Sequence, residues 1–501
     1  MKMRYNLIEF CAGKSRTAGE KYPDTVPPDG AVDFGNLEGS CGILRDKDGF
    51  LQLEDGAAWG RYLSPVVETP LFEDLVQTWN ADLPKGTWVE ARARVCFACE
   101  NDTVRWSGWG SWGAWSPYIE RRNHGGPVAA EDPECPGIHM DCDILEVDSV
   151  PARGFQLEVQ LHRDSPEIPS PVLRRTCATL RNRTIAPIPV WSGAENTAGD
   201  EPRADTVILP SPAASQIIRD PEIGGCICNP TTMTVLLAYR GVQVLPEQMA
   251  MTTVDLVEGF GNWAYVTAGV GLYGFRAIGR FGDLNLLRRE IREGRTVGVS
   301  VHYAKTPEDA ADRHLPYVEN APCNTPGHIM TVCGFGPDTV YVCDSAARED
   351  ATAHRCYKID QFMEAWSGHL CYVCDRTPEV ERSTAPVYEE AELVQDEEGR
   401  YFLRRDGAEF PVRPEDIKDK EWTPGRMVLM ARLRAQADLP DSAETVRIIG
   451  ADDIIHFPRM DANDRFIYPV PEANGHFALP EETAAVYCIG NTGLRLHAEM
   501  P

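Results

Sequence analysis

The chain has 501 residues, enough for two to four domains, and 43% of them are hydrophobic, so it can build buried cores. Its formal net charge is −27 and its isoelectric point is about 4.8. This charge disfavours nucleic acid and anionic membranes as partners, because phosphate binding needs concentrated basic charge. No apolar run in the sequence reaches the length of a membrane span, so we expect no membrane partner.

Sixteen cysteines are spread along the chain, many of them inside apolar runs such as residues 330–333 and 341–343. Cysteines in such runs behave as small hydrophobes. Their spread differs from the dense spacing of a small disulfide-stapled protein. We therefore expect reduced thiols and a cytoplasmic location. Residues 1–10 carry no signal-peptide pattern, and a secreted location would follow if a signal had been removed.

Residues 1–190 predict β structure. Side chains alternate between apolar and polar over residues 88–95, where Val89 and Val95 share one face, and again over residues 155–162. Alternation with a period of two is typical of half-buried strands. Turn-rich segments separate these strands without a long helical pattern between them. We expect an N-terminal antiparallel β-sandwich.

Four tryptophans recur at every third residue within this region: Trp106, Trp109, Trp112 and Trp115. Exposed indole rings can stack on a sugar or a peptide, so one interpretation is a carbohydrate or surface ligand on the sandwich. The interpretation we favour is a bulged edge strand whose rings pack on the sandwich.

Residues 191–380 predict an α+β domain, because helical patterns come first and strand-like runs follow. The predicted helices begin at Cys228 and near residues 245 and 284, and the predicted strands lie at 296–301, 329–335, 339–343 and 370–374. Polar, non-periodic residues at 192–206 and 376–386 predict linkers. Residues 381–501 predict a small, mainly-β accessory domain with a hairpin turn at 396–399.

Cys228 stands directly before Asn229 and Pro230, and an apolar helical pattern continues from there to Gly241. Proline is tolerated in the first turn of a helix, so we expect Cys228 at a helix N-terminus. Backbone N–H groups and the positive dipole end at such a terminus favour thiolate over thiol. Cys228 is therefore the candidate nucleophile. Cys226 is a weaker rival, since it lies before the predicted helix.

A thiolate nucleophile usually needs a histidine base that a third polar group orients. His328 opens one apolar strand, and Asp344 ends the next strand after a turn at 336–338. A strand, a turn and an antiparallel strand bring the start of the first beside the end of the second, so we expect these two residues to be neighbours. A core histidine and a turn-capping carboxylate are the alternative interpretations.

These segments resemble the bacteriocin-processing (double-glycine) cysteine peptidase-like family of the papain-like clan. The closest likeness is to its bacterial branch, in which the peptidase-like domain follows a β-sandwich. Three segments carry the resemblance, namely residues 228–232 (CNPTT), 327–335 (GHIMTVCGF) and 342–346 (VCDSA). Cys343 and Ser345 depart from it, because they stand where the family has Asn and Pro.

The resemblance implies a papain-like domain with Cys228 as nucleophile, His328 as base and Asp344 as orienting group. It also implies Gln216, upstream of the cysteine, as a donor of the oxyanion hole. The expected activity is cleavage of a peptide or protein substrate without a metal or an organic cofactor. Trp263 is one of three aromatic residues, with Tyr265 and Tyr303, that could line the pocket.

Two other functions stay open at this point. The central domain could be an inactive peptidase-like fold that binds or scaffolds, which the departures at Cys343 and Ser345 allow. Acyl transfer of the transglutaminase type would use the same three groups, and it differs only in whether water or an amine enters second. The sequence does not predict the oligomeric state.

Two cysteine pairs have the spacing of zinc ligands, but we expect no metal site at either of them. Residues 96–99 and 371–374 lie in strand-like runs, where residues three apart point to opposite faces. His139, with Cys135 and Cys142 nearby, is a similarly weak ligand set.

Overall fold

The computed structural model describes residues 5–12, 29–35, 37–98, 104–118, 125–127, 138–141, 143–148, 150–185, 206–219, 223–255, 259–381, 383–385, 389–398, 400–405, 408–412, 426–430, 459–460, 466–467, 485–490 and 493–499. Each helix in the described part of the chain is too short or too polar to span a bilayer.

The N-terminal region is built from strands alone among its described residues. In chain order they are β1 (Tyr5–Cys11), β2 (Asp29–Asp33), β3 (Ile43–Arg45), β4 (Leu51–Leu53), β5 (Trp59–Leu63), β6 (Val67–Phe72), β7 (Asp74–Asp82), β8 (Thr87–Ala98), β9 (Val104–Trp106), β10 (Gly110–Trp115), β11 (Gly126–Pro127), β12 (Ile138–Asp141), β13 (Ile144–Val147), β14 (Ala152–Arg163) and β15 (Val172–Arg181).

These strands form two sheets. The first has eight strands in the order β12-β13-β7-β15-β1-β2, with β4 on β15 and β3 on β4. The second has seven, in the order β11-β10-β8-β14-β5, with β6 on β14 and β9 on β8. Both sheets contribute side chains to one hydrophobic core that includes Tyr62, Trp79 and Leu157. The described strand pairs are antiparallel except β1 and β2, which run parallel, so the expectation of a wholly antiparallel unit was too strict.

The predicted alternation in the N-terminal region lies in β8 and β14. These strands pair antiparallel, with Val89 opposite Leu161 and Val95 opposite Phe155, and all four side chains are buried in the core between the sheets. The polar residues that alternate with them occupy the other face of the second sheet, which explains the period of two.

The four regularly spaced tryptophans have two different environments. Trp112 and Trp115 are buried in the core, and β10, which carries them, has an irregular register against β8 between Ser111 and Ala114. Trp106 and Trp109 are only partly buried, and the guanidinium of Arg94 lies over both rings, 4.5 and 4.9 Å from their centroids. A surface ligand of the sandwich therefore stays a prediction that can involve only the second pair.

The central region contains helices and a third sheet. Its elements are β16 (Val207–Ile208), α1 (Cys228–Ala238), α2 (Pro246–Thr253), α3 (Trp263–Gly271), β17 (Ala277–Phe281), α4 (Leu284–Arg292), β18 (Val297–Tyr303), α5 (Pro307–Arg313), β19 (Thr325–Phe335), β20 (Thr339–Cys343), a 3₁₀ turn (Asp350–Thr352), β21 (His354–Lys358), α6 (Ile359–Ala365) and β22 (Trp366–Cys374). The sheet order is β17-β22-β18-β19-β20-β21, with β16 on β19.

The helix α3 joins the first sheet to the central region. Its residues Ala264, Tyr265 and Ala268 belong to the core between the two N-terminal sheets, whereas Val266 packs in a different core with α1. The Tyr265 hydroxyl donates to the backbone carbonyl of Trp112 at 2.7 Å. Tyr265 therefore packs in the sandwich core and does not line a pocket.

A second junction lies where a linker was predicted. Arg174 in β15 is fully buried, and it pairs with Asp82 at 3.1 Å and with Glu379 at 3.1 Å. The same guanidinium donates to backbone carbonyls of the turn after α3, including Gly274 at 3.2 Å. Residue 379 thus lies against both regions. The other predicted linker was placed at 192–206, and its residues 192–205 lie outside the described residues.

The C-terminal region is described only in part. Its strands are β23 (Glu389–Gln395), β24 (Tyr401–Arg405), β25 (Ala408–Val412), β26 (Arg426–Met430), β27 (Arg459–Met460), β28 (Phe466–Ile467), β29 (Ala485–Gly490) and β30 (Gly493–Glu499). The first four form a sheet in the order β25-β24-β23-β26. The predicted turn at 396–399 joins β23 to β24, where the Asp396 N–H donates to the Arg400 carbonyl at 3.0 Å. The domain boundaries at 190 and 380 stay predictions.

Candidate active site

Cys228 is the first residue of α1, and its side chain is partly exposed. No side chain caps this helix, so its first backbone N–H groups are available, and that of Asn229 donates to the Cys228 sulfur. Pro230 suits the first turn because it has no N–H to lose there. The helix is fixed to the sheet by Thr232, whose hydroxyl donates to the Ile329 carbonyl at 3.0 Å.

His328 and Asp344 meet through the hairpin of β19 and β20. Thr331 pairs with Cys343 in this hairpin, so the beginning of β19 lies beside the residue that follows β20. His328 Nε2 lies 2.9 Å from Asp344 Oδ1. The side chain of His328 also makes a hydrogen bond with Cys228, and Nδ1 is the ring nitrogen left for it. The three residues therefore form one hydrogen-bonded chain.

Asp344 is completely buried, and donors surround its carboxylate. Oδ2 accepts hydrogen bonds from the hydroxyls of Tyr303 at 2.8 Å and Tyr357 at 2.7 Å. Oδ1 accepts from the Ala346 N–H at 3.0 Å, in addition to His328. A buried charge needs such partners, since an unpaired carboxylate in an apolar setting would be protonated instead.

The electrostatics of the three residues favour an ion pair between the Cys228 thiolate and protonated His328. Burial alone would lower the pKa of His328, but the Asp344 charge and the hydrogen bonds with Asp344 and Cys228 raise it to about 10. Burial opposes ionisation of Asp344 as well, yet His328 and the two tyrosine hydroxyls bring its pKa down to about 2. Burial raises the pKa of Cys228, and His328 with the N–H groups of Ile329 and Asn229 reverses this, so the net shift is downward.

Cys226 differs from Cys228 in its position and in its hydrogen-bond partners. It lies before α1, its sulfur donates to the Ile223 carbonyl at 3.2 Å, and burial of the sulfur together with the nearby Cys228 charge raises its pKa to about 11. A thiol with such a pKa is protonated at neutral pH and is a poor nucleophile.

Gln216 lies beside the residue that follows Asp344. Its backbone N–H donates to the Ser345 carbonyl at 2.8 Å, and its Oε1 accepts from the Ser345 hydroxyl at 2.9 Å. Gln216 is 4% exposed. With Oε1 held in this way, the NH₂ group of the amide is the part that can donate to a further acceptor.

The aromatic contacts of this site were not foreseen from the sequence. Tyr303 was expected as pocket lining, but it donates to Asp344, and Tyr357 was not expected in the site at all. Trp263 stacks on Tyr372 with 4.0 Å between ring centroids, and the Tyr372 hydroxyl accepts from Asn229 Nδ2 at 2.9 Å. These contacts join residues far apart in sequence, and no local pattern in the strands that carry the tyrosines indicates them.

The backbone N–H of Trp263 donates to the Asp143 carboxylate, between β12 and β13 of the first sheet. The aromatic pair of Trp263 and Tyr372 thus connects the N-terminal region to Asn229, the residue beside Cys228.

One exposed cluster could in principle hold a metal ion. Ligand atoms of His139, Glu146 and Asp148 lie within 4.8 Å of one another. Arg183 donates to Glu146 at 3.0 Å, which places a competing cation on one of the carboxylates. Cys135 and Cys142, which the sequence placed near His139, lie outside the described residues.

Comparisons with known proteins give two family matches. Residues 208–372 match the model described as the Peptidase_C39 like family, and residues 37–180 match the model described as the Peptidase C39 N-terminal domain. A solved structure described as a C39-like peptidase from Bacillus anthracis is similar over 36% of this chain and 99% of its own chain, with 18% identity and a TM-score of 0.27. At this TM-score the likeness adds nothing to the family matches. No curated protein matches the chain.

Proposed function

We propose that the protein is a cysteine peptidase in which Cys228 is the nucleophile, His328 the general base and acid, and Asp344 the orienting group. The match of residues 208–372 to the C39-like peptidases and of residues 37–180 to the N-terminal domain of such peptidases supports this proposal. The observation that carries this proposal is the hydrogen-bonded chain from Cys228 through His328 to Asp344, with His328 Nε2 2.9 Å from Asp344 Oδ1.

In the proposed reaction, the Cys228 thiolate attacks the carbonyl carbon of an amide bond in a peptide or protein. The carbonyl oxygen becomes an oxyanion, and when it returns to a carbonyl the amine leaves with a proton from His328. Water then enters, gives a proton back to His328 and releases the acid from the thioester. Asp344 holds the imidazole with Nε2 toward itself and Nδ1 toward the sulfur, so the transferred proton is on the correct nitrogen.

The oxyanion needs donors that are in place before it forms. In our proposal these are the backbone N–H of Cys228, at the start of α1, and the side-chain NH₂ of Gln216. Each donor of this kind typically contributes about 3 kcal/mol to the transition state. The buried position of Gln216 beside Ser345 supports the proposal, because a rigid donor costs little reorganisation during the reaction.

Alkylation with iodoacetamide, followed by peptide mapping, tests the nucleophile. We expect Cys228 to react faster than Cys226 and the other described thiols at pH 7, and to slow markedly in His328→Ala. Cys226→Ser is the matched control, because it removes the neighbouring thiol and leaves Cys228 and His328 in place. Alkylation of Cys228 at the rate of an ordinary free thiol, in both the wild type and His328→Ala, would overturn the proposal.

Cleavage itself is measured separately. A peptide library analysed by mass spectrometry should show products with the wild type and none with Cys228→Ala. If Cys228 is reactive but the wild type gives no products, the inactive binding protein is favoured over the peptidase. If the substrate gives amine adducts in place of acid products, acyl transfer is favoured.

A further inference from the structure

The loop after β20 contacts two residues of the proposed active site, His328 and Gln216. Asp344 holds His328, and the next residue, Ser345, makes two hydrogen bonds with Gln216: its carbonyl accepts from the Gln216 N–H, and its hydroxyl donates to Gln216 Oε1. Ser345 and Gln216 are both buried, with exposed fractions of 2% and 4%. A single short segment therefore touches both the proposed base and the proposed oxyanion donor.

The segment that carries Gln216 is fixed on this loop by its neighbours as well. The Ser215 N–H donates to Asp350 Oδ1 at 2.6 Å, and the Ser215 hydroxyl donates to the Ala347 carbonyl at 2.5 Å. The Ile217 N–H donates back to the Ser215 hydroxyl at 3.1 Å. The backbone of Gln216 is thus held without help from the Ser345 side chain, which leaves only the orientation of the Gln216 amide for that side chain to decide.

An amide group can adopt two orientations that differ in which end is the donor. The Ser345 hydroxyl donates to Oε1, and this fixes the carbonyl end toward the loop and the NH₂ end away from it.

We propose that Ser345 is a positioning residue, which fixes the side-chain amide of Gln216 with its NH₂ group toward the oxyanion. The inference rests on the proposed function, because it gives Gln216 the role of oxyanion donor. Ser345 itself touches no reacting atom, so its effect must pass through Gln216.

The test compares Ser345→Ala, Ser345→Thr, Gln216→Ala and the double variant on a peptide that the wild type cleaves. Loss of one neutral hydrogen bond should lower kcat about five- to tenfold in Ser345→Ala, with KM unchanged. Ser345→Thr, which keeps a hydroxyl, should restore most of kcat. In the double variant, kcat should equal that of Gln216→Ala alone, because without the amide there is nothing left for Ser345 to orient.

Two further measurements separate positioning from a general loss of structure. The rate and pH profile of Cys228 alkylation by iodoacetamide should be the same in Ser345→Ala and the wild type, because that displacement forms no oxyanion. Binding of a peptide aldehyde built on the cleaved sequence should weaken about five- to tenfold, because its adduct with Cys228 carries the oxyanion-like oxygen.

The outcomes distinguish the two proposals. A wild type that cleaves peptide, with kcat and aldehyde affinity unchanged in Ser345→Ala, overturns the role of Ser345 and leaves the peptidase proposal standing. Effects of Ser345→Ala and Gln216→Ala that multiply in the double variant also overturn it. Absence of cleavage in the wild type overturns the peptidase proposal itself, and the role of Ser345 falls with it.

Discussion

The hydroxyl of Tyr357 lies 2.7 Å from Oδ2 of Asp344, on the side of the carboxylate that does not face His328. Tyr303 donates to the same oxygen at 2.8 Å. Two neutral donors thus stabilise the charge of a fully buried carboxylate without adding a second cation. The positive charge of His328 remains the main electrostatic partner of Asp344, and the tyrosines keep Asp344 ionised and fixed.

Tyr357→Phe should therefore destabilise the protein. Removing one hydrogen bond to a buried charged group typically costs about 1.5–3 kcal/mol, and the pKa of Asp344 should rise from its present value of about 2 because a stabilising donor is lost. The free energy of unfolding, measured in urea, checks this. Tyr341→Phe, on β20, is the control, because its hydroxyl is not among the donors to Asp344. Equal stability of the two variants would contradict the assignment.

Asp344→Asn should lower the pKa of His328 below about 10, because the negative charge is the largest of the effects that raise it. The imidazolium form would then be lost at a lower pH, and cleavage should decline at that lower pH. An amide NH₂ facing Nε2 also favours the wrong tautomer, so kcat should fall by about 10²- to 10⁴-fold. The measurement is the rate of cleavage as a function of pH in the wild type and in the variant. A decline at the same alkaline pH in both would contradict this prediction.

Cleavage by the wild type should depend on pH in a bell shape. It should rise as Cys228 ionises, at a pH below the ordinary pKa of a thiol, because its pKa is lowered. It should fall near pH 10, where His328 loses the proton that the leaving amine needs. Alkylation by iodoacetamide needs only the thiolate, so it should rise in the same range without the alkaline decline. An alkaline limb near pH 7 would show that His328 is not the proton donor with a raised pKa.

Arg174→Ala should destabilise both the N-terminal and the central regions. Arg174 is fully buried and pairs with Asp82, which is also buried, and with Glu379, so its removal takes a shared cation away from two carboxylates. Such losses typically cost about 3–5 kcal/mol. Unfolding in urea, followed by tryptophan fluorescence, provides the measurement. Arg153→Ala, at a half-buried position on β14, is the control, and a loss no larger than in that variant would show that the buried pair does not stabilise the junction.

The elements that local sequence patterns predict were found where those patterns lie. Residues 284–292 form α4, whose apolar residues recur at helical spacing, and residues 339–343 form β20. The helix at Cys228 begins at that residue. Proline, glycine and alternating side chains act over a few residues, so one sequence is enough to read them.

Elements that depend on distant contacts were missed. The helix α3 is buried along its whole length between two cores, so it has no polar face and none of the amphipathic pattern that reveals a surface helix. Glu379 lies in a segment whose composition predicts a linker, but buried arginines of β15 hold it in place. The two tyrosine donors of Asp344 come from β18 and β21, and nothing local to either strand indicates that they face the same carboxylate.

The position of α3 has a consequence for how this protein can be recombined. One side of the helix completes the core of the N-terminal sheets and the other side packs on α1, which begins at Cys228. A chimaera that takes its N-terminal region from a relative would leave Tyr265 facing a surface that was not shaped for it. Exchange of the N-terminal region should therefore destabilise the chimaera whether or not α3 travels with it, because each choice breaks the packing of one side of the helix.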